Sequence, residues 1–171
     1  LDDLLGGLHR SDLIIIAGRP SMGKTALATN IAYSVASNKN DKKTVAFFSL
    51  EMSAEQLANR ILAEQALLSS DKIRRGKLSK DDFTNLSKVS KEISSNRLFI
   101  DDTPALNVST LRTRARRLKR KLSGELGLIV VDYLQLMRGS KRYENRVQEI
   151  SEITQGLKSV AKELDVPILA L

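Results

Sequence analysis

Five short apolar runs punctuate the chain, separated by longer stretches whose apolar residues recur every three or four positions. The runs are 13–17 (Leu-Ile-Ile-Ile-Ala), 44–50, 98–100, 127–131 and 166–171. Each is nearly unbroken, as expected of a strand covered on both faces. The intervening stretches predict helices. One over 26–37 places Leu27, Ile31 and Val35 on a single face. A second runs from Ser53 to about 68, where Ser53 and Gln56 match a capping box and Leu57, Ala58, Ile61 and Leu62 face inward. A short helical turn over 71–76 precedes a helix opened by Ser79, buried through Phe83, Leu86, Val89 and Ile93. Ser109 is expected to cap the next, with Leu111, Ala115, Leu118 and Leu122 inside. A long helix over about 144–164 carries Val147, Ile150, Ile153, Leu157 and Val160 on one stripe. Strands alternating with helices imply one α/β domain, a mainly parallel sheet flanked by helices on both faces.

Between the first strand and the first helix lies Gly18-Arg19-Pro20-Ser21-Met22-Gly23-Lys24-Thr25, followed by Ala26. Strand, Gly-rich turn, Lys-Thr and helix form the P-loop pattern, which predicts nucleoside triphosphate binding. Glycines at 18 and 23 let the backbone close around a phosphate. Successive N–H groups and the positive end of the helix then face the anion. Lys24 brings a compact charge to the β- and γ-phosphates, and the Thr25 hydroxyl can ligate Mg²⁺. Pro20 has no N–H to donate.

Ligands of open parallel sheets bind beyond the carboxyl ends of the strands. Asp132 follows the apolar run Leu128-Ile129-Val130-Val131 and would hold Mg²⁺, as in a Walker B segment. Glu51 ends the second strand. Spacing leaves it two roles: activating the attacking water, or favouring the N-terminus of the helix after Ser53. Asp101 and Asp102 end the third strand and read as turn and capping residues. The lone His9 reads as a solvated side chain.

Composition narrows the class further. There is no cysteine, which excludes disulfides and thiolate metal sites. No apolar run approaches the ~20 residues of a membrane span, so a cytoplasmic protein without a membrane partner is expected. The net charge of +8 is concentrated in two places. Residues 110–121 hold seven basic side chains and no acid; 138–146 hold Arg138, Lys141, Arg142 and Arg146 against Glu144. Setting these eleven bases and one acid aside leaves 17 basic and 19 acidic residues, so both stretches together carry the whole excess. Such concentration predicts a polyanionic partner. The helix bearing Arg112, Arg114, Arg116, Arg117, Lys119, Arg120 and Lys121 reads as a solvated face. The 138–146 loop is the better candidate for single-stranded DNA. It leaves the sheet just after Asp132, and Tyr143 could stack on a base.

Three segments together resemble the DnaB type of bacterial replicative DNA helicase. They are Ala17 to Thr25, Phe48-Ser49-Leu50-Glu51-Met52-Ser53, and Val131-Asp132-Tyr133-Leu134-Gln135-Leu136-Met137. The resemblance covers nearly the whole chain. It implies a RecA-like P-loop ATPase fold, Glu51 as catalytic base, and a homo-hexameric ring that unwinds duplex DNA while moving along one strand. It also implies that 1–171 is a partial ATPase domain. The arginine finger, a γ-phosphate-sensing glutamine and a second DNA-facing loop would follow Leu171, and a primase-binding domain would precede Leu1. A helicase loader is a further implied partner. On this reading the isolated segment binds ATP weakly, hydrolyses it slowly and unwinds nothing. A recombinase filament on the same fold, and a nucleotide-binding regulator that never turns over, are the alternatives.

Overall fold

The computed structural model describes residues 6–19, 21–41, 43–122, 126–139 and 145–171. The strands are β1 (Leu13–Ile15), β2 (Thr44–Ser49), β3 (Leu98–Asp101), β4 (Leu126–Asp132) and β5 (Ile168–Ala170). They form one parallel sheet in the order β1-β5-β4-β2-β3. The helices are α1 (Lys24–Ser37), α2 (Ala54–Gln65), α3 (Ser70–Arg74), α4 (Lys80–Ser94), α5 (Val108–Lys121) and α6 (Arg146–Leu164).

The edge strands β1 and β3 are not covered on both faces, contrary to expectation, and leave Ile15 and Phe99 51% and 41% exposed. The near-continuous apolar runs of β2 and β4 are explained by two separate cores. In β4, Leu128 and Val130 point to one face of the sheet, where α1 and α2 cover them, while Ile129 and Val131 point to the other, under α5 and α6. β2 divides the same way, Val45 and Phe47 against Ala46 and Phe48. A strand whose successive side chains enter opposite cores has no polar face to show. A third, smaller cluster holds α2, α3 and α4 together through Ala66, Leu86 and Val89. Its two capping boxes, Ser53 with Gln56 and Ser79 with Asp82, both form. Asp82 also pairs with Lys72 at 2.6 Å, and that hydrogen bond is the chief reason its carboxyl is lowered to about 2.

Several sequence expectations need correction. α1 buries Ala28, Thr29, Ala32 and Ala36, while Ile31 and Val35 are half-buried and Leu27 is 41% exposed. The small-residue face lets the helix approach the sheet closely, which larger side chains would prevent. Phe83 and Val147 are 65% and 73% exposed, and Ala58 is also exposed. Phe83 and Val147 sit in the first turns of their helices, beyond the ends of the clusters their later turns enter. α5 is capped by Asn107, whose side chain accepts from the Thr110 N–H, and not by Ser109. The predicted helix start at residue 144 lies outside the described residues.

Candidate functional site

A cavity of about 780 Å³ opens at the carboxyl edge of the sheet. Gly18, Ser21, Gly23, Lys24, Thr25 and Ala26 form one wall, and Glu51, Met52, Arg60 and Asp132 to Gln135 form the other. Among the P-loop residues named from sequence, Arg19 and Met22 are exposed and outside this wall. Pro20 lies outside the described residues.

The loop takes its shape from two positive backbone angles, φ +64° at Ser21 and +84° at Gly23. A side chain is strained in that region, which accounts for glycine at 23, immediately before α1. Lys24 folds back over the loop, its Nζ donating to the carbonyls of Gly18 (2.7 Å) and Arg19 (3.2 Å). Its charge is therefore held against its own loop, in the wall of the cavity.

Strand register sets the acids. β2 and β4 are neighbours, Ser49 pairs with Asp132, and the Leu50 N–H donates to the Asp132 carbonyl at 2.6 Å. Asp132 and Glu51 thus leave adjacent strands at one level and enter the same cavity. Asp132 is 2% exposed, and its Oδ2 is buried without a hydrogen-bond partner. Burial pushes its carboxyl above the usual range, and the Glu51 charge adds to the rise. The Thr25 hydroxyl, Arg60 and Lys24 oppose it. A buried carboxylate oxygen with no donor, beside the Thr25 hydroxyl, is the donor set a hard divalent cation takes. The residues present therefore fit Mg²⁺.

That misfit with water has a measurable consequence. A raised acid favours folding while protonated, and this contribution is lost as pH rises through its folded pKa. Asp132→Asn is expected to raise the stability of the ligand-free protein at pH 7 by about 1–3 kcal/mol, a few degrees in Tm. The advantage should shrink as pH falls through the carboxylate range, and Mg²⁺ with nucleotide should protect the variant less than the wild type. Thermal melts across pH check this; a variant less stable than wild type at pH 7 would overturn it.

The first N–H groups of α2 find partners other than Glu51. The first N–H groups of α2 are capped by Ser53, which accepts from Gln56, and by Asp102, which accepts from the Ala54 N–H at 2.8 Å. Asp101 makes the expected turn, accepting from the Thr103 N–H, and it binds Arg114. Glu51 is exposed to the cavity and has no ion pair among the described residues. Arg60 and Gln135 also line the cavity, and sequence reasoning missed both. Arg60 looked like any surface arginine of an amphipathic helix. Gln135 stood inside a quoted segment but had no spacing signal of its own.

The basic stretches divide differently. On α5, Arg112 and Arg116 pair with Glu163, Arg114 with Asp101, and Lys119 with the Leu164 carbonyl. Arg117, Arg120 and Lys121 are the ones left in the exposed face without an ion pair among the described residues. Of the loop, Arg138 is exposed and its backbone N–H donates to Leu106 at 3.2 Å. Arg146 is engaged within the chain, by Glu149 and the Gln135 carbonyl. Lys141, Arg142 and Tyr143 lie outside the described residues.

A P-loop between β1 and α1, facing two acids carried by neighbouring parallel strands, defines a RecA-like P-loop nucleotide-binding domain. The chain matches the family described as DnaB-like helicase C terminal domain over residues 1–171, and it belongs to that family. It is 54% identical over 179 residues to the replicative DNA helicase DnaB of Rickettsia prowazekii (strain Madrid E), covering 100% of this chain and 36% of that one. The chain thus spans about a third of the length of that relative. Among solved structures, a DnaB-like replicative helicase described with its interactions with primase superposes with TM-score 0.90 at 34% identity, covering 96% of this chain and 39% of the other. The RadB recombinase superposes at TM-score 0.52 and 24% identity, over 99% of this chain and 64% of that one, which is a likeness of fold alone. No helix among the described residues is long and apolar enough to cross a membrane.

Proposed function

We propose that this chain is the ATP-hydrolysing motor core of a replicative DNA helicase, a partial RecA-like domain of a longer cytoplasmic protein. The observation that carries the proposal is the convergence of Lys24, Thr25, Glu51 and Asp132 on one cavity. Membership of the DnaB-like family supports it. ATP is the substrate, its phosphate tail lying along the N–H groups of 18–26 other than Pro20. Lys24 leaves the loop carbonyls for the β- and γ-phosphates. Thr25 and Asp132 would hold Mg²⁺, which when bound supplies positive charge to the phosphate oxygens. Glu51, not needed as a hydrogen-bonding cap, orients the attacking water and accepts its proton. Product release returns Lys24 to its own loop.

The full-length protein works as a homo-hexamer on single-stranded DNA, with primase and a loader as partners through regions outside 1–171. Within this chain the DNA contacts are Arg138, Lys141, Arg142 and Arg146. Arg146 must exchange Glu149 and the Gln135 carbonyl for a phosphate, so DNA binding and the post-β4 loop are coupled. Such contacts give weak sequence preference and steep salt dependence. Arg138→Ala in the full-length protein should lower single-strand affinity at low salt and reduce the slope of log K against log salt by about 0.7. An unchanged slope removes Arg138 from the interface.

The test of the whole reading is steady-state phosphate release by the full-length protein with Mg²⁺ and ATP, with and without single-stranded DNA. DNA-stimulated turnover together with strand displacement is expected. Nucleotide binding without turnover would favour the regulator, and open filaments in electron micrographs instead of closed rings would favour a recombinase.

A further inference from the structure

One cation in the cavity wall has no assigned work. Arg60 lies midway along α2, half-buried, and lines the nucleotide cavity next to Glu51 and Met52. It has no ion pair or hydrogen bond among the described residues. The other arginines that face structure in this chain are paired: Arg112 and Arg116 with Glu163, Arg114 with Asp101, Arg146 with Glu149. A guanidinium cannot shed its proton and presents five donors in a rigid fork. Half-buried in a cavity wall and unpaired, it is available to oxygen acceptors that enter the cavity.

Its direction is constrained. Glu64, one helical turn further on and on the same side of α2, accepts from the Asn30 side chain of α1. Asn30 also donates to the Ala26 carbonyl at 3.1 Å, at the start of the P-loop helix. This bond holds α2 against α1 and turns the Arg60 side of α2 towards the loop. Arg60 and Asp132 line the same cavity, Arg60 on the wall shared with Glu51.

We infer that Arg60 is a second phosphate-binding cation of this site, donating to the γ-phosphate of ATP from within the same chain. The inference rests on the ATPase reading above. Lys24, anchored among the loop carbonyls, serves the β- and γ-phosphates from the P-loop side. Arg60 approaches the γ-phosphate from the wall it shares with Glu51, the side of the attacking water. ATP is then held more tightly than ADP, and the charge that builds on the γ-phosphoryl oxygens during transfer is met by a fixed cation.

The test compares Arg60→Ala and Arg60→Lys with wild type in the full-length protein, measuring affinity for ADP and for the non-hydrolysable analogue AMP-PNP, and kcat. Arg60→Ala is expected to weaken AMP-PNP about 10–100-fold while leaving ADP within about twofold, and to lower kcat. Arg60→Lys should recover part of both losses, since it keeps the charge and loses the fork. Equal losses for ADP and AMP-PNP would mean a structural role and overturn the inference, as would an unchanged AMP-PNP to ADP ratio whatever happens to kcat. Lys24→Ala and Glu51→Gln run in parallel separate the two levels. If both retain wild-type turnover, the ATPase reading fails. If both lose it while Arg60→Ala binds and turns over like wild type, this inference alone fails.

Discussion

Lys24→Ala is expected to cut ATP turnover by about 10³-fold or more while the protein stays folded. Removing a single preorganised neutral donor from a transition state costs roughly 10²–10³. Lys24 is a full charge held against the loop, so the loss should exceed that range. The fold should survive because the lysine holds only two carbonyls of its own loop, both exposed, which water can satisfy. Neither core cluster includes it. Phosphate release and a thermal melt on the same sample check both halves. Retained turnover would remove Lys24 from the mechanism, and a collapsed melt would show that the loop needs its lysine to keep its shape.

Glu51→Gln should lower kcat by about 10²–10⁴, the usual range for a positioned general base, with ATP affinity nearly intact. The substitution keeps size and hydrogen bonding but removes proton acceptance. A base that acts only in the transition state lowers kcat without a matching change in ground-state binding. The variant should therefore trap uncleaved ATP, seen as bound triphosphate after rapid separation from free nucleotide. Ser53 and Asp102 already accept from the first N–H groups of α2, so Glu51 is not needed there as a hydrogen-bonding cap. A merely capping glutamate would leave kcat alone. Wild-type turnover by an intact Glu51→Gln protein would remove Glu51 from the mechanism.

These two residues also show how differently parts of the site could be read from sequence. Lys24 was legible at once, because a P-loop is local: strand, glycines, lysine and helix follow one another within fourteen positions of 13–26. Glu51 was ambiguous, because its two roles differ only in what else reaches the α2 N-terminus. The residue that bears on it, Asp102, lies 48 positions from the Ala54 N–H it accepts from, just past the end of β3. Arg60 was invisible. Its helical position matches a solvated arginine, and only the packing of α2 on α1 turns it inward. The same holds for Arg146, which read as a free cation and is engaged by Glu149 and Gln135.

Helix phase and helix ends were hidden for a related reason. Periodicity found the longer helices, yet the apolar faces it marked include Leu27, Phe83 and Val147, and all three are exposed. A repeat of 3.6 marks an apolar face but says nothing of where the neighbouring element stops. The Ser53–Gln56 capping box fared better, since both partners lie within one turn.

What the sequence by itself determined was everything that rests on neighbours in the chain: the alternation of strand and helix, the phosphate-binding turn, and an acid at the end of an apolar run. Parallel register, which sets Asp132 beside Ser49 and brings Glu51 to its level, was decided only in three dimensions. So was the identity of the cations left without partners. Electrostatic pairing is governed by distance through space, and the chain brings together residues whose order along it carries no record of that meeting.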